Sequence, residues 1–435
     1  MAEIIKNSSI GVVKELDLFN LPPTQATVEK IRYFDLHTTS SDPNASPLEF
    51  KIPESGQDFI DLKRSKLDVT LHLEVNKEKI KADDYVGPVN LLLQSLFSQV
   101  DMFMNHVRVS SSTTNYAYRA YIPLILSMDA ESKETVLSTN LYAKDDGNVD
   151  DPNCGKNATN TGLLSRFNHV RLGKNVHLVG PLFNDIWQSD RWIIPGVSMR
   201  LSMYRNSNKF ALLSSLAKDY KIVITQAKLQ VCYCTLFQSA YLSHEAALSI
   251  TPAYYPLKNT VLKNYSLPGS ETEKMYNDVF SGKVPEKVII GLVRDDAYSG
   301  DMTKNPFNFQ HFDVKFLGVY YNGEPVPGRA FEPKFNRNSQ YDAHYADCYE
   351  ALLKITGKYV ANDISQKDFV NGYAFFCFDI DQKHENSWML SLYKTGNINI
   401  EIKLKNSLGY TIQVIVMGLL PYLMKINKKR EVMLE

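Results

Sequence analysis

Short segments with alternating apolar and polar residues run through most of the chain. One of the clearest is NPFNFQHFDVKFLGVYYNGEPVP, residues 305–327. From Phe312 to Phe316 every second residue is apolar, which predicts a strand with one face turned to a core. Asn322 and Gly323 follow, and this dipeptide is a strong hairpin signal because both central positions of the turn require positive φ. The segment therefore predicts a strand, a tight turn and a returning strand.

The same pattern occurs in the first half of the chain. SLFSQVDMFMNHVRV, residues 95–109, again gives a strand, an Asn-led turn at Asn105 and His106, and a returning strand. Further segments repeat in the same order: residues 116–126 resemble 341–355, 178–188 resemble 370–382, 195–206 resemble 395–406, and 220–236 resemble 410–426. A conserved order of similar segments within one chain indicates an internal duplication.

The repeated segments predict an all-β fold built of two tandem eight-stranded jelly rolls with short helices in the loops. Many short alternating strands and few long helical patterns favour antiparallel sandwiches, and a 435-residue chain suits two domains. A stripe of apolar residues at helical spacing in 341–355 predicts one helix in the second copy. The expected boundaries are an N-terminal arm at 1–26, a first jelly roll at 27–238, a second at 239–426, and a basic C-terminal tail at 427–435.

The first copy carries an insertion that the second lacks. Its central part, residues 144–162, is rich in Asp, Asn, Gly and Thr and nearly free of apolar residues, which predicts a long exposed loop. A calcium site is the alternative, with oxygen ligands from Asp145, Asp146, Asn148, Asp150 and Asp151. The segment lacks the spacing of a known calcium-binding loop and its closing Glu, so we expect a solvated loop.

Charge and hydropathy narrow the classes of function. Lys plus Arg and Asp plus Glu both number 48, so the chain lacks the basic excess of a nucleic-acid binder. The one basic run, residues 425–430, is expected to be solvated. The N-terminal residues lack the apolar core of a signal peptide, and the longest apolar stretch, 410–426, is too short for a membrane helix. We expect a protein that is made intracellularly, without a transmembrane segment.

No catalytic, cofactor-binding or metal-binding constellation is recognisable, so we predict none and no enzyme activity. Asp185 and Asp379 fall at apparently equivalent places in the two copies, which suggests turn capping. Cys232 and Cys234 alternate on one strand face, where buried thiols act as small apolar residues. The histidines show no H-x-H pair of the kind expected for a tandem-barrel (bicupin) metalloenzyme. The other cysteines are Cys154, Cys348 and Cys377, and all five are expected to be reduced.

Several segments resemble the major capsid proteins of Polinton/Maverick elements and adintoviruses. They are ELDLFNLPPTQATVE, FIDLKRSKLDVTLHLEV, LLLQSLFSQVDMFMN, YAYRAYI, the 305–327 segment and GYAFFCFDI, which together span most of the chain. The Asn-Pro-Phe-x-Phe-x-x-Phe segment followed by an Asn-Gly hairpin is the most specific. One departure is His106, which replaces the Gly usual in the first hairpin turn.

The resemblance implies a hexon-like double jelly roll and a structural role in the virion. Homotrimers would form pseudo-hexagonal capsomers of an icosahedral shell around double-stranded DNA, with neighbouring capsomers, penton and minor capsid proteins as partners. It implies no cofactor and no sequence-specific contact with nucleic acid. Assembly would take place in the nucleus or cytoplasm of a host cell. A β-rich glycan-binding or attachment module and the tandem-barrel enzyme are the alternatives.

Overall fold

The computed structural model describes residues 13–110, 115–155, 157–335, 344–356, 363–381 and 392–435. The strands of the first half are β1 (Val28–His37), β2 (Leu48–Ile52), β3 (Phe59–Val75), β4 (Glu78–Lys79), β5 (Val86–Pro88), β6 (Phe97–Met104), β7 (Val107–Arg108), β8 (Val176–Gly180), β9 (Met199–Arg205), β10 (Leu212–Ser214) and β11 (Tyr220–Leu236). Those of the second half are β12 (Ala253–Leu267), β13 (Glu273–Tyr276), β14 (Lys287–Arg294), β15 (Val314–Tyr321), β16 (Glu324–Pro325), β17 (Phe375–Asp379), β18 (Ile398–Leu404), β19 (Ile412–Ile426) and β20 (Val432–Leu434).

Short helices connect these strands. The α-helices are α1 (Leu92–Ser95), α2 (Tyr116–Ser127), α3 (Ala130–Thr135), α4 (Thr161–Val170), α5 (Asn208–Ala211), α6 (Gln238–Leu248), α7 (Asp295–Ser299), α8 (Ala346–Thr356) and α9 (Gln366–Val370). Short 3-10 helices lie at Lys14–Leu16, Leu137–Asn140, Arg171–Gly173 and Asp185–Gln188. Helix α6 joins the two halves.

The two halves share one sheet topology. In the first half, one sheet has the order β1-β11-β3, with β8 also paired to β3, and the other has the order β2-β9-β6-β7. In the second half the corresponding orders are β12-β19-β14-β17 and β13-β18-β15-β16. All these pairings are antiparallel. The predicted all-β fold of two tandem jelly rolls is confirmed.

Both predicted hairpins form, each with two left-handed residues in its turn. Asn322 and Gly323 have φ of 49° and 92°, and Asn105 and His106 have φ of 43° and 72°. His106 therefore adopts the conformation that the Gly of related turns would supply without steric cost. The long apolar segment near the C-terminus is β19, as predicted.

The helix predicted in 341–355 starts later in the structure, since α8 begins at Ala346. Tyr341 lies outside the described residues. Tyr345 stacks on Phe369 of α9 with ring centroids 6.1 Å apart, and Leu352 is fully buried. The apolar stripe therefore packs into a core rather than lining a ligand site.

The 144–162 segment is not the exposed loop that its composition predicted. Among its described residues, Asp145, Val149, Cys154 and Asn160 are buried, and most of the others are half-buried; Lys156 lies outside the described residues. Composition misled because these polar groups are satisfied by one another and by the second half, rather than by water.

The C-terminal residues 427–435 do not form a free solvated tail. The chain turns at Arg430 and returns as β20, which pairs with the end of β19. The Arg430 guanidinium donates to the Pro195 carbonyl at 2.7 Å and to Glu245 of α6 at 2.7 Å. By contrast, residue 13 and residues 15–26 of the N-terminal arm are exposed; residues 1–12 lie outside the described part.

Candidate functional site: the seam between the two halves

Helix α2 lies between the two halves and is buried on almost every side. We call the interface around it the seam: α2 and residues 133–150 of the first half against residues 260, 298–309 and 363–373 of the second. The seam is part of one continuous core, because α2 packs in the same apolar cluster as β14, β17 and β19. Each half thus completes the core of the other.

Aromatic side chains form the apolar part of the seam. Tyr121 of α2 stacks on Phe307 with centroids 4.2 Å apart and an angle of 11° between the rings. The rings of Tyr118 and Tyr298 stack with their centroids 5.8 Å apart. The Tyr118 hydroxyl donates a hydrogen bond to the Pro306 carbonyl at 3.0 Å. Burial raises the pKa of the Tyr118 and Tyr121 phenols well above the ordinary value, so both remain neutral.

A buried ion pair crosses from α2 towards the second half. Arg119 contacts Asp185 of the 3-10 helix after β8, and both side chains are at most 8% exposed. The same carboxylate accepts a hydrogen bond from the Thr260 amide of β12 at 3.1 Å. Asp185 therefore connects three elements. Asp379 is the last residue of β17, whereas Asp185 lies five residues beyond the end of β8. The two aspartates therefore do not occupy equivalent positions, and the predicted correspondence is wrong.

A second buried ion pair holds the start of the insertion. Arg166 of α4 donates to Asp145 at 2.6 Å, and both side chains are 1% exposed. Asn160 donates to the same carboxylate at 3.0 Å, and Asn305 of the second half donates to its other oxygen at 3.3 Å. A buried charge is tolerated only when it is paired and hydrogen-bonded, and all of these contacts meet that need.

The insertion also binds the second half through two further hydrogen bonds. The Asn305 backbone N–H donates to the Asp150 carboxylate at 3.0 Å, and the Tyr373 hydroxyl donates to the Asp145 backbone carbonyl at 2.9 Å. Gly372, with φ of 96°, lies so close that a Cβ there would be 2.8 Å from Val149 Cγ2. Only glycine fits this conformation and this approach.

A partly exposed charge cluster continues the seam. Lys133 and Lys144 of the first half each donate to Asp363 at 2.8 Å, and Lys144 also reaches Asp368 at 2.9 Å. Burial would raise the pKa of Asp363, but the two lysines outweigh it and lower that pKa below the ordinary value. Burial would likewise lower the pKa of Lys144, and its two carboxylate partners raise it instead.

The calcium alternative finds no support in this geometry. Each of three carboxylates accepts a hydrogen bond from a different protein group. Asp146 accepts from the Thr161 backbone N–H, and Asp151 accepts from the Thr159 hydroxyl. Asp150 accepts from the Asn305 backbone N–H. Across the described ranges, one group of side chains has metal-ligand character: Asp61, Cys232 and Cys234. The alternation along the strand predicted that these two cysteines are core residues, and only the pairing of β3 with β11 brings Asp61 beside them. No helix in the described part of the chain is long and apolar enough to cross a membrane.

Comparison with known proteins places this architecture in a structural class. No family model matches the sequence. An uncharacterized protein of Caenorhabditis elegans, F54H12.2, is 23% identical over 399 residues, which are 88% of this chain and 92% of that protein.

Solved structures match the whole chain. A chain in the cryo-EM structure of the Sputnik virophage is similar with a TM-score of 0.62 and 13% identity, covering 100% of this chain and 94% of that one. The mavirus major capsid protein matches with a TM-score of 0.54 and 10% identity over 100% and 97% of the two chains. The Faustovirus major capsid protein matches with a TM-score of 0.53 and 10% identity over 95% and 92%. The chain has the double jelly-roll fold of viral major capsid proteins, and the resemblance predicted from the sequence is confirmed at the level of the fold.

Proposed function

We propose that the protein is a structural major capsid protein. Its homotrimers would form pseudo-hexagonal capsomers of an icosahedral shell that encloses double-stranded DNA. The observation that carries this proposal is the duplicated sheet topology, matched over the whole length of the chain by viral capsid proteins. The resemblance to Polinton/Maverick and adintovirus capsid proteins points the same way. The role is structural rather than enzymatic.

The geometry suits a capsomer because the two halves present similar sides in a fixed relation. Three chains of two jelly rolls give six similar sides, so one gene product can tile a hexagonal lattice. The seam supports this role: its ion pairs and stacked rings are buried, so the angle between the halves is set by packing and not by α6 alone. Closed threefold symmetry then repeats one heterologous contact.

Exposed apolar residues support assembly with further copies. Of the twenty large apolar side chains that are exposed among the described residues, eleven lie in the arm, in the edge strand β1 and around α6. Phe19 and Leu21 of the arm are 95% exposed, and Ile31 and Phe34 of β1 are 40% and 45% exposed. Clustered apolar exposure of this kind marks surfaces that are covered in a complex. Neighbouring copies, and penton or minor capsid proteins, are the partners that we propose for them.

The two ends of β6 support an orientation in the shell. The hairpin turn at one end carries Asn105, which donates to the Arg430 carbonyl of the C-terminal segment at 2.8 Å. The insertion begins near the other end, where Asn90 donates to the Ala143 carbonyl at 2.8 Å and the Asn90 carbonyl accepts the Ser95 hydroxyl at 3.0 Å. The eight residues of β6 separate these ends by about 25 Å. We propose that the insertion faces outward and that both termini face the interior or neighbouring capsomers of a virion assembled inside a host cell.

Light scattering after size-exclusion chromatography tests the proposal. We expect a mass of three times 49.5 kDa, or particles in the void volume that show hexagonal capsomers by electron microscopy. A monomer that binds glycans on an array would support the attachment-module alternative. Rapid trimming of both termini in intact particles by a protease would contradict the proposed orientation.

A matched pair of surface variants makes the test specific. The double variant Phe19→Glu, Leu21→Glu changes side chains that touch almost nothing in the single chain, so it should leave the thermal midpoint unchanged and reduce assembly. Val136→Glu is the control, because Val136 is 55% exposed but lies at the end of α3, away from the arm. Equal assembly of both variants would contradict a role of the arm in contacts between copies.

A further inference from the structure

Three side chains with metal-ligand chemistry converge on the first jelly roll, away from the seam. Cys232 and Cys234 stand two positions apart on β11, so they point to the same face of the sheet. The pairing of β3 with β11 sets Asp61 directly opposite Cys232. The two sulfur atoms and a carboxylate oxygen all lie within 4.8 Å of one another, and the three residues are at most 5% exposed.

An irregularity in β3 creates this convergence. The register with β11 shifts between Gln230 and Cys232. The extra residues of β3 form a turn in which the Arg64 amide donates to Asp61 Oδ1 at 3.0 Å. The Ser65 hydroxyl closes the turn by donating to the Asp61 carbonyl at 2.7 Å, and it accepts the Cys232 amide at 3.0 Å. The turn therefore positions the carboxylate and one thiol together.

A second set of contacts orients the carboxylate. Trp192 Nε1 donates to Asp61 Oδ2 at 2.9 Å, and the Arg64 guanidinium lies 3.4 Å from the same oxygen. Outer contacts of this kind hold a ligand in place and tune its charge in metal sites. Arg64 would also balance the excess negative charge of two thiolates and one carboxylate around a divalent cation.

We propose that Asp61, Cys232 and Cys234 bind a zinc ion. Two thiolates and a carboxylate are ligands that zinc accepts, with bonds of about 2.3 Å to sulfur and about 2.0–2.2 Å to oxygen. In a tetrahedron these bond lengths bring the ligand atoms to about 3.3–3.8 Å from one another. The distances between the ligand atoms, at most 4.8 Å in the structure, must therefore shorten by about 1 Å when the metal binds. Small rotations of the side chains are enough for this change. The fourth position is left to water.

The metal would fasten two neighbouring strands and the Trp192 loop beside the exposed edge strand β1. Binding must be coupled to proton release, because zinc takes thiolates and not thiols. Metal uptake should therefore weaken as the pH falls.

The remaining cysteines provide a matched control. Cys377 of β17 is also a strand thiol, 2% exposed, but it belongs to no such group in the described residues. If buried thiols merely fill the core, Cys377 and the Cys232–Cys234 pair should behave alike toward metal. If the proposal holds, only the pair should matter.

The experiment uses the full-length protein expressed in zinc-supplemented medium. We expect one zinc per chain by mass spectrometry in the wild type and in Cys377→Ala, and loss of the metal in Cys232→Ala, Cys234→Ala. After removal of zinc, added Co²⁺ should give the near-ultraviolet thiolate-to-cobalt charge-transfer band in the first two proteins only. Since loss of an outer contact weakens metal sites about 10–100-fold, loss of the Asp61 carboxylate should weaken Co²⁺ binding at least about tenfold.

Asp61→Asn tests the carboxylate without emptying the core, so the proposal stays falsifiable if the cysteine double variant fails to fold. Wild-type protein that carries no zinc and gives no cobalt band would overturn the proposal. So would a cobalt band of equal strength in Asp61→Asn and wild type. Loss of two titratable thiols without metal would instead indicate a disulfide between Cys232 and Cys234 and would overturn it as well.

Discussion

Replacing Arg166 by methionine should test whether buried charges hold the seam together. The change keeps an unbranched side chain but leaves Asp145, which is 1% exposed, without its cation. The hydrogen bonds from Asn160 and Asn305 remain but cannot balance a full charge. Removal of one partner of a buried ion pair costs about 3–5 kcal/mol, because the other charge stays desolvated.

The thermal midpoint converts this cost into a measurable shift. With an unfolding entropy of about 2.1 cal/mol/K per residue, the 435-residue chain has about 0.9 kcal/mol/K. Arg166→Met should therefore lower the midpoint by about 3–5 °C if the whole chain unfolds as one unit, and by about twice that if one half unfolds separately. Differential scanning calorimetry distinguishes these cases, because separate unfolding gives two transitions.

A double-mutant cycle isolates the pair from its surroundings. Asp145→Asn in the Arg166→Met background removes the orphaned charge, so the double variant should be more stable than the sum of the single effects predicts, by about 0.5–3 kcal/mol. Lys81→Met is the control, because Lys81 and Glu78 form an equally direct pair at 2.9 Å that is solvent-exposed, and its loss should not shift the midpoint. Additive single effects, or a shift no larger than that of Lys81→Met, would refute the reasoning.

Two further variants probe the same interface. Asp363→Asn removes the carboxylate that Lys133 and Lys144 share. The pKa of Asp363 in the folded protein lies below 3.8. The carboxylate therefore contributes its full stability at neutral pH, and this contribution is lost as the pH falls through the lowered pKa. The midpoint difference from wild type should thus be largest near pH 7 and shrink below about pH 4 in a pH series, and a constant difference would contradict the assignment. Gly372→Ala should cost about 1–3 kcal/mol by urea unfolding, because alanine is strained at φ of 96° and its Cβ meets Val149. Adding Val149→Ala should restore only the steric part, and an unchanged midpoint in Gly372→Ala would show that the backbone adapts.

The sheets could be predicted from the sequence because their signals are local. An Asn-led turn between alternating segments defines each hairpin at Asn105 and Asn322, and a long, mostly apolar run defines β19. The order of these segments, repeated in both halves, was enough to predict two jelly rolls. Such signals depend only on strand period and turn chemistry, which hold wherever the segment lies in the fold.

The seam could not be predicted in the same way, since its contacts join residues far apart in the chain. Asp145 and Asp150 occur in a segment whose composition is that of a solvated loop. Nothing in the neighbouring sequence shows that both carboxylates accept hydrogen bonds from Asn305. One signal was present: Arg119 is a lone charge within an apolar helix, and a buried arginine requires an anionic partner. The sequence does not identify that partner as Asp185.

The contrast between the two copies explains how a duplicated chain acquires a defined shape. The sheets have kept the same strand order in both halves, but the insertion that contacts Asn305, Gln310 and residues 371–373 occurs in the first copy only. A flexible connection through α6 would hold two similar jelly rolls together without fixing the angle between them. The insertion and α2 add a buried interface that fixes this angle, and the hexagonal capsomer that we propose would require the same angle in every chain. The insertion is therefore a difference between the copies that lies where the halves meet.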